Sequence, residues 1–253
     1  MTIFPKIFNS RSGKDEEFFL FVKKTIGFTP HKIDWYRIAF THSSANESDK
    51  QGNPINYERM EFLGDAVLGT VIAAFLLQEA PFGNEGYLSQ MRSKIVSRRH
   101  LNDLGKELEL ITFSQSNIPK NYQGDNIHGN LFEALIGAIY LDRGFAYCER
   151  FIQERIIDKH VDLKALEKRV MSYKSLIIEW CQKEKKVFHF DVVEDTGKES
   201  VKYFSVKLII DNKPISKARD TSKKKAEEKA AKRAFYALQN NIQQTSVKTS
   251  ERS

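Results

Sequence analysis

Apolar residues recur every three to four positions through most of the first 160 residues, which is the spacing of amphipathic helices. Phe18, Phe21 and Val22 mark the first such stretch, and Gly27 and Pro30 follow its end. Helices are predicted over residues 16–26, 33–40, 57–79, 87–108, 131–143 and 148–159, with a polar loop over residues 43–54. The first part of the chain is therefore predicted to be all α.

The pattern changes after about residue 162. Residues 188–194 and 203–210 alternate apolar and polar side chains, as half-buried antiparallel strands do. A third strand is predicted over 213–218 and helices over 172–182 and 222–238, which gives a small α+β domain with the order α-β-β-β-α. We place the first domain at residues 1–160, a linker at 161–169, the second domain at 170–239 and a disordered, polar tail at 240–253.

The two parts differ in charge. Of the net charge of +7, residues 1–160 contribute −1 and residues 161–253 contribute +8. A basic second domain favours a polyanionic partner, although a lysine-rich surface that only aids solubility gives the same charge.

Cysteine content and hydropathy predict a cytoplasmic protein. Two cysteines in 253 residues imply no disulfide framework, and no Cys and His residues stand at the spacing of zinc ligands. The longest apolar run, residues 66–77, is shorter than the roughly 20 residues that span a bilayer. Because the N-terminus also lacks the pattern of a signal peptide, no membrane partner is expected.

The segment from Glu58 to Asp65 combines acidic and apolar residues. At about 100° per residue, Glu58, Glu61 and Asp65 fall within an arc of roughly 60° on one helix face. The other faces are apolar, so the helix is predicted to be buried. Three stacked carboxylates repel one another and lose hydration, and a hard divalent cation compensates for both effects. The alternative is a solvated face on which Glu58 or Glu61 pairs with Arg59 or Arg98.

A second predicted helix offers further oxygen ligands. Asn130 and Glu133 stand three residues apart and so share a helix face. Oxygen atoms from two crossing helices are what a magnesium site in a helical domain requires. Taken alone, this segment also fits a capped core helix without a metal.

A lysine-rich segment opens the last predicted helix. Ala226, Ala230 and Ala234 give this helix a flat face that can pack on a sheet. Lys223 and Lys224 lie in its first turn, where backbone N–H groups and the helix dipole favour phosphate. The segment predicts a phosphate-binding helix end, with a solvated lysine-rich end as the alternative.

Four segments of the first part, in order, resemble the ribonuclease III family. The eight residues from Glu58 to Asp65 resemble the family's signature, and residues 39–44, 85–89 and 132–142 resemble its supporting motifs. Together they cover most of residues 15–160. The resemblance implies an all-α endonuclease domain that cleaves double-stranded RNA with Mg²⁺, for which Mn²⁺ is a possible substitute.

Site residues follow from this resemblance by position. The family's metal ligands match Glu61, Asp65, Asn130 and Glu133, of which Asp65 and Glu133 are taken as catalytic. The family's supporting acidic positions match Glu58 and Glu85. Asn130 stands where the family usually has Asp, and its amide oxygen can still bind Mg²⁺ although one negative charge is lost. We therefore expect weaker metal binding, not loss of the site.

The resemblance also implies a homodimer formed through the signature helix, with Phe62 inserted into the partner subunit. Two active sites would then lie along one valley, and each would cut one strand of the RNA. The implied products carry 5′-phosphate and 3′-hydroxyl ends with short 3′ overhangs, and the implied substrates are precursor ribosomal RNA and structured messenger RNA.

The second domain resembles a double-stranded RNA-binding domain. The matching segments are residues 173–176, 179–183, 197–204 and 222–227. Such domains read A-form RNA by its shape, with contacts in the minor grooves and on the phosphates between them. By position, Ser175, Glu179 and Gln182 would face a minor groove, and Lys223 and Lys224 the phosphates. Ser200 stands in the RNA-binding loop where the family commonly has His, which predicts somewhat weaker binding.

Two other functions fit parts of the sequence. One is an RNA-binding protein that has kept the fold and lost cleavage, and Asn130 is its support. The other is a helical protein with a basic DNA-binding tail. Cleavage of a long RNA duplex excludes the first, and weak competition by duplex DNA excludes the second.

Overall fold

The computed structural model describes residues 13–119, 124, 126–168, 170, 172–195 and 202–238. The chain divides into two compact units, with the division between Lys168 and Arg169. The first unit is helical, and the second contains three strands and two helices. The predicted fold class, an all-α domain followed by a small α+β domain, is confirmed.

The first unit contains nine α-helices among its described residues. They are α1 (Gly13–Ile26), α2 (Ile33–Ala39), α3 (Glu58–Glu79), α4 (Glu85–Ile95), α5 (Arg98–Glu107), α6 (Ile127–Arg143), α7 (Phe145–Ile152), α8 (Asp158–His160) and α9 (Leu163–Lys168). A π-helical turn, Gln153–Ile157, joins α7 to α8. Leu131, Phe132 and Leu135 of α6 are completely buried, so α6 is the central helix of this unit.

Helices α3 and α6 touch backbone to backbone at two glycines. A Cβ atom on Gly64 would lie 1.7 Å from the carbonyl oxygen of Glu133, and one on Gly137 would lie 2.2 Å from that of Met60. No side chain fits at either position, so glycine is required at both. This contact fixes the first two turns of α3 beside the middle of α6.

Two helix boundaries differ from the prediction. The single helix predicted over residues 87–108 is wrong, because Ser97 is extended (φ −62°, ψ 140°) and separates α4 from α5. The apolar spacing continues through Ile95 and Leu101, which are both buried, so it does not reveal the break. Helix α6 begins at Ile127, four residues early, since Asn102 of α5 accepts a hydrogen bond of 2.7 Å from the Gly129 amide and holds this first turn.

Helix α9 lies within the segment predicted as a linker. Its end is held by α4, where the buried ammonium of Lys94 donates to the carbonyl oxygens of Leu166 (2.8 Å) and Glu167 (3.2 Å). The Tyr87 hydroxyl donates to the Glu167 carboxylate at 2.7 Å. Helix α9 therefore belongs to the first unit.

Helix α3 is long and apolar enough to cross a membrane, which the apolar run of residues 66–77 does not indicate by itself. Leu68 and Ile72 are completely buried against the rest of the unit. Core helices of globular domains meet the same length and composition criteria, so α3 is weak evidence for a membrane span.

The second unit is a three-stranded antiparallel sheet with two helices. Its elements are α10 (Tyr173–Lys183), β1 (Phe188–Asp195), β2 (Tyr203–Ile210), β3 (Lys213–Asp220) and α11 (Lys223–Ala237), and the strands lie in the order β1-β2-β3. Asp211 and Asn212, both with positive φ, form the two-residue turn between β2 and β3. Buried Ile177, Leu208 and Ala231 show that both helices pack on one face of the sheet. The predicted tail, 240–253, lies outside the described residues.

Candidate active site and RNA-binding surface

Three carboxylates come together beside the contact between α3 and α6. Glu61 precedes Gly64 in α3 and Asp65 follows it. Glu133 belongs to the turn of α6 that Gly64 contacts. Glu133 is only 8% exposed, Glu61 is half-buried and Asp65 is exposed. Glu61, Asp65 and Glu133 are therefore neighbours, because the contact at Gly64 brings the two helices together.

The three carboxylates act on one another electrostatically. Burial, followed by the charges of Asp65 and Glu61, raises the pKa of Glu133 to about 7, while the charge of Arg98 opposes the rise. Burial also raises the pKa of Glu61, against the charge of Arg98 and with those of Glu58 and Asp65. Such a cluster favours a bound cation, because a cation stabilises the ionised form of every member.

Asn130 is held from both sides at the edge of this cluster. Its Oδ1 atom accepts a hydrogen bond of 3.0 Å from Nη1 of Arg98, and its Nδ2 atom donates to the Tyr57 hydroxyl at 3.5 Å. Burial and the charges of Glu61 and Glu58 raise the pKa of Tyr57, against the effect of the Asn130 hydrogen bond. The phenol is therefore neutral, and the amide presents its oxygen to the guanidinium group.

The supporting acidic residues lie in two different places. Glu58 is exposed at the start of α3, and its charge acts on Glu61. Glu85 is exposed in the first turn of α4, where it accepts a hydrogen bond of 2.9 Å from Ser89. Glu85 is not among the charges that shift the pKa values of Glu61 and Glu133, and its supporting role stays a prediction.

The side chains are near one another without forming a finished coordination site. Among the described residues, no three His, Cys, Asp or Glu side chains are arranged to hold an ion as they stand. The ion pairs that were the alternative interpretation are also missing within 4 Å in this part of the chain, since neither Glu58 nor Glu61 pairs with Arg59 or Arg98.

Tyr57 and Arg98 are the site residues that the sequence does not indicate in these roles. From sequence, Arg98 is a candidate only as an ion-pair partner of Glu58 or Glu61, and its hydrogen bond to Asn130 depends on how α5 packs against α6. Tyr57 directly precedes the first residue of α3. Its polar hydroxyl group beside the acidic helix was the sequence feature that could have indicated a role in the site.

Phe62 lies between Glu61 and Asp65 in sequence but faces away from the core. Its side chain is 80% exposed, and Leu77 on the same helix is 65% exposed. Phe62 and Leu77 therefore leave apolar surface of α3 in contact with water.

The RNA-binding residues predicted in the second unit are exposed where the structure describes them. Ser175, Glu179 and Gln182 are four and then three residues apart and form one exposed face of α10. Lys223 and Lys224 are exposed in the first turn of α11, where the Ser222 side chain makes no capping hydrogen bond. Ser200 lies outside the described residues.

Glutamates of α11 fix the start of α10. The Glu228 carboxylate accepts hydrogen bonds from the Ser172 hydroxyl at 2.8 Å and from the Tyr173 amide at 2.6 Å. Glu227, which is 9% exposed, pairs with the Lys174 ammonium at 2.7 Å. These contacts hold the exposed face of α10 in a fixed orientation to the lysine-bearing end of α11.

Comparisons with known proteins agree with both units. A family model described as Ribonuclease-III-like matches residues 34–160, and one described as Double-stranded RNA binding motif matches residues 173–238. Ribonuclease 3 of Zunongwangia profunda is 62% identical over 242 residues, which cover 96% of this chain and 100% of that protein. Ribonuclease 3 of Flavobacterium psychrophilum is 58% identical over 243 residues, which cover 96% of this chain and 99% of that protein.

Solved structures show the same nuclease fold. The nuclease domain of ribonuclease III from Campylobacter jejuni superposes with a TM-score of 0.51 at 26% identity, over 57% of this chain and 97% of that one. A second structure of that domain, with a TM-score of 0.50 at 26% identity over 55% of this chain and 96% of that one, is described as flexible in a region involved in dimer formation. The matches to both domains and the near full-length relatives show that this chain belongs to the ribonuclease III family, whose members are endoribonucleases specific for double-stranded RNA.

Proposed function

We propose that the chain cleaves double-stranded RNA by Mg²⁺-assisted hydrolysis, with Glu61, Asp65, Asn130 and Glu133 as metal ligands. Asp65 and Glu133 are the catalytic residues in this proposal. The observation that carries it is the buried carboxylate of Glu133, which lies beside Asp65 and Glu61 and receives no hydrogen bond from the described residues.

The donor set fits a hard divalent cation. Three carboxylates and one amide oxygen are the ligand types that Mg²⁺ and Mn²⁺ prefer, and Mn²⁺ is a possible substitute. A bound ion lowers the pKa of water and stabilises the charge that develops on the phosphate. The chain's own part is to turn these oxygens towards one point, while the backbone contact at Gly64 keeps α3 and α6 at a fixed separation.

We further propose that two copies pair through the exposed stripe of α3. The stripe consists of six residues that recur at helical spacing, of which Gly69 and Ala73 are half-buried and the others exposed: Phe62, Ala66, Gly69, Thr70, Ala73 and Leu77. If two α3 helices cross antiparallel near Gly69, each Phe62 meets the other copy's Ala73 and Leu77. These two residues line a hollow of about 530 Å³, and nothing lies within 4 Å of a Cβ built on Gly69. Close approach at a glycine with an aromatic side chain seated in a hollow supports a dimer with twofold symmetry.

In this proposal the second unit binds the duplex and the first unit cuts it. Ser175, Glu179 and Gln182 face a minor groove, and Lys223 and Lys224 contact phosphates. We assign cutting to residues 1–160 and duplex binding to residues 170–239, with α9 packed on the first unit between them. Two sites in a dimer leave 5′-phosphate and 3′-hydroxyl ends, and precursor ribosomal and messenger RNA in the cytoplasm are the proposed substrates.

A single substitution tests the proposed site. We expect Glu133→Gln to slow cleavage of a long RNA duplex at least about a hundredfold, because losing even a residue that supports a metal ligand costs 10–100-fold. Binding of the duplex, measured by gel shift without metal, should stay within about twofold of wild type. Glu149→Gln, which changes an exposed carboxylate on α7, is the matched control and should cut normally.

The same assay separates the other two functions. Tight binding without cleavage by the wild-type chain at saturating Mg²⁺ would show an RNA-binding protein without activity. Equal competition by duplex DNA and duplex RNA would show that the chain does not read A-form shape.

A further inference from the structure

Arg98 places a positive charge beside the residues that are proposed to bind the metal ion. It is the first residue of α5, and its Nη1 atom lies 3.0 Å from Oδ1 of Asn130. Its charge also acts on Glu61 and Glu133, in each case opposite to the effect of the neighbouring carboxylates. One guanidinium group thus interacts with three of the four proposed ligands.

The hydrogen bond to Asn130 uses the atom that a metal needs. A guanidinium group only donates hydrogen bonds and keeps its charge at every relevant pH, so it bonds to the amide oxygen and not to the amide nitrogen. The Tyr57 hydroxyl lies 3.5 Å from Nδ2, on the other side of the amide. Asn130 therefore offers the cluster a carbonyl oxygen that is already engaged by a positive charge.

We propose that Arg98 is a resident counter-cation of the active site, which competes with the divalent ion for the Asn130 oxygen and for the nearby carboxylates. The proposal rests on the metal site proposed above. In the metal-free protein Arg98 offsets the repulsion among Glu61, Asp65 and Glu133. When the ion binds, the guanidinium has to give up the Asn130 oxygen, so that Arg98 lowers metal affinity and raises the stability of the metal-free form.

The structure leaves the guanidinium a place to go. Arg98 is exposed, and it borders a polar hollow of about 550 Å³ that is also lined by Arg99, Asn102 and Asp103. A long side chain at the edge of a helix can turn into such a hollow without unpacking the core. Asp103 provides a carboxylate in this hollow, which is also lined by the cations Arg99 and Lys106.

Titration of metal-free protein with Mn²⁺ or Mg²⁺ by calorimetry, without RNA, tests the proposal. A unit positive charge several ångströms from a divalent ion in a hydrated cleft weakens binding about five- to tenfold, so we expect Arg98→Gln to bind the ion tighter by about that factor. Arg98→Lys, which keeps the charge and loses the planar fork, should fall between wild type and Arg98→Gln. The metal-free melting temperature of Arg98→Gln should be lower than that of wild type, and saturating metal should raise it further than it raises wild type.

Arg99→Gln is the matched control, because it removes the same charge from the next position of α5. It should change metal affinity less than Arg98→Gln does. Equal or weaker metal binding by Arg98→Gln, in a protein that still loses binding when Glu133 becomes Gln, would overturn the role of Arg98 alone. Equal metal binding by wild type and Glu133→Gln would overturn the metal site itself, and the role of Arg98 with it.

Discussion

At the scale of single residues, the candidate site places charged and polar groups where folding alone would not. Glu133 is buried beside two other acids, and Asn130 is held between a phenol and a guanidinium group. A buried carboxylate among like charges destabilises the folded chain unless it is protonated or paired with a cation. This loss of folding stability indicates that Glu133 and its acidic neighbours serve the chemistry of the site.

This cost gives a prediction for stability against pH in metal-free protein. The pKa of Glu133 is raised from 4.5 to about 7, so the folded state holds this proton more tightly than the unfolded chain does. The contribution of Glu133 to stability is complete below about pH 4.5, falls as the pH rises, and is lost above about pH 7. The loss is on the order of 3 kcal/mol.

Urea unfolding in the presence of a chelator at pH 5 and pH 8 measures this loss. We expect Glu133→Gln to gain stability relative to wild type between the two pH values, whereas Glu149→Gln should follow wild type. Parallel pH dependence of Glu133→Gln and wild type would mean that the Glu133 carboxylate ionises freely in the folded protein.

Residue spacing predicted the acidic side chains of this site better than it predicted their partners. Glu61 and Asp65 share a helix face through the geometry of a single helix, and Asn130 and Glu133 do so on another. The two pairs meet because Gly64 contacts the backbone of Glu133. The sequence shows the glycine but does not show which residue it contacts. The hydrogen bond from Arg98 to Asn130 joins residues on two helices that are separated by a loop, and no periodic pattern carries that information.

At the scale of helices and strands, α3 serves two packing surfaces at once. One side contacts α6 at Gly64 and buries Leu68 and Ile72, and the other leaves Phe62 and Leu77 in water. Apolar residues occur on both of these sides, so apart from the acidic stripe the sequence pattern is that of a buried helix. The helix itself was predicted correctly. The prediction that it is buried is wrong for the side that carries Phe62 and Leu77, because the sequence pattern cannot distinguish core from exposed apolar positions.

The exposed stripe yields a prediction for assembly. We expect Phe62→Glu to convert a dimer into a monomer, since a charge would have to be buried where an aromatic ring packs. Sedimentation velocity at micromolar concentration measures the change. Leu20→Glu, on the exposed side of α1, is the control and should leave the mass unchanged. A Phe62→Glu protein that still sediments as a dimer would place the interface elsewhere.

The strands and the breaks between helices show what the spacing of apolar residues can and cannot predict. The bounds of strands β1 and β2 were predicted to within one residue. Alternation of apolar and polar residues over eight positions does not match the spacing of an amphipathic helix. The break at Ser97 was missed, since neither glycine nor proline marks it and the apolar spacing runs through it. Only the packing of α5 against α6 decides that the chain turns there.

At the scale of the whole molecule, the charge is divided between the two units. Residues 1–160 are nearly neutral and residues 161–253 carry the excess positive charge, so attraction to RNA is concentrated in the unit with the three-stranded sheet. A nuclease whose own acidic cluster repels phosphate gains from a separate basic unit that keeps the substrate near.

The lysines of α11 give a prediction for salt dependence. Replacing both Lys223 and Lys224 by Gln should lower the slope of log affinity against log salt by about 1 for each phosphate that the variant no longer binds, with weaker binding to all duplexes alike. Lys217→Gln, an exposed lysine on β3 at a position alternate to buried Ala218, is the control and should keep the slope. Fluorescence anisotropy with an RNA duplex between 50 and 200 mM salt, roughly the range where such slopes are resolved, measures it. An unchanged slope in the double variant would show that these two lysines of α11 do not bind phosphates.

The reciprocal contact of Gly64 and Gly137 has a consequence for how such an enzyme can change over generations. The framework is fixed by two residues that take no part in the chemistry, while the chemistry depends on side chains that the framework does not need. A substitution at either glycine prevents folding, because no side chain fits there. A substitution at Asn130 or Glu133 leaves a folded protein with its RNA-binding face intact. Loss of cutting is thus a single step away, and the descendant would still occupy duplex RNA and shield it from intact copies.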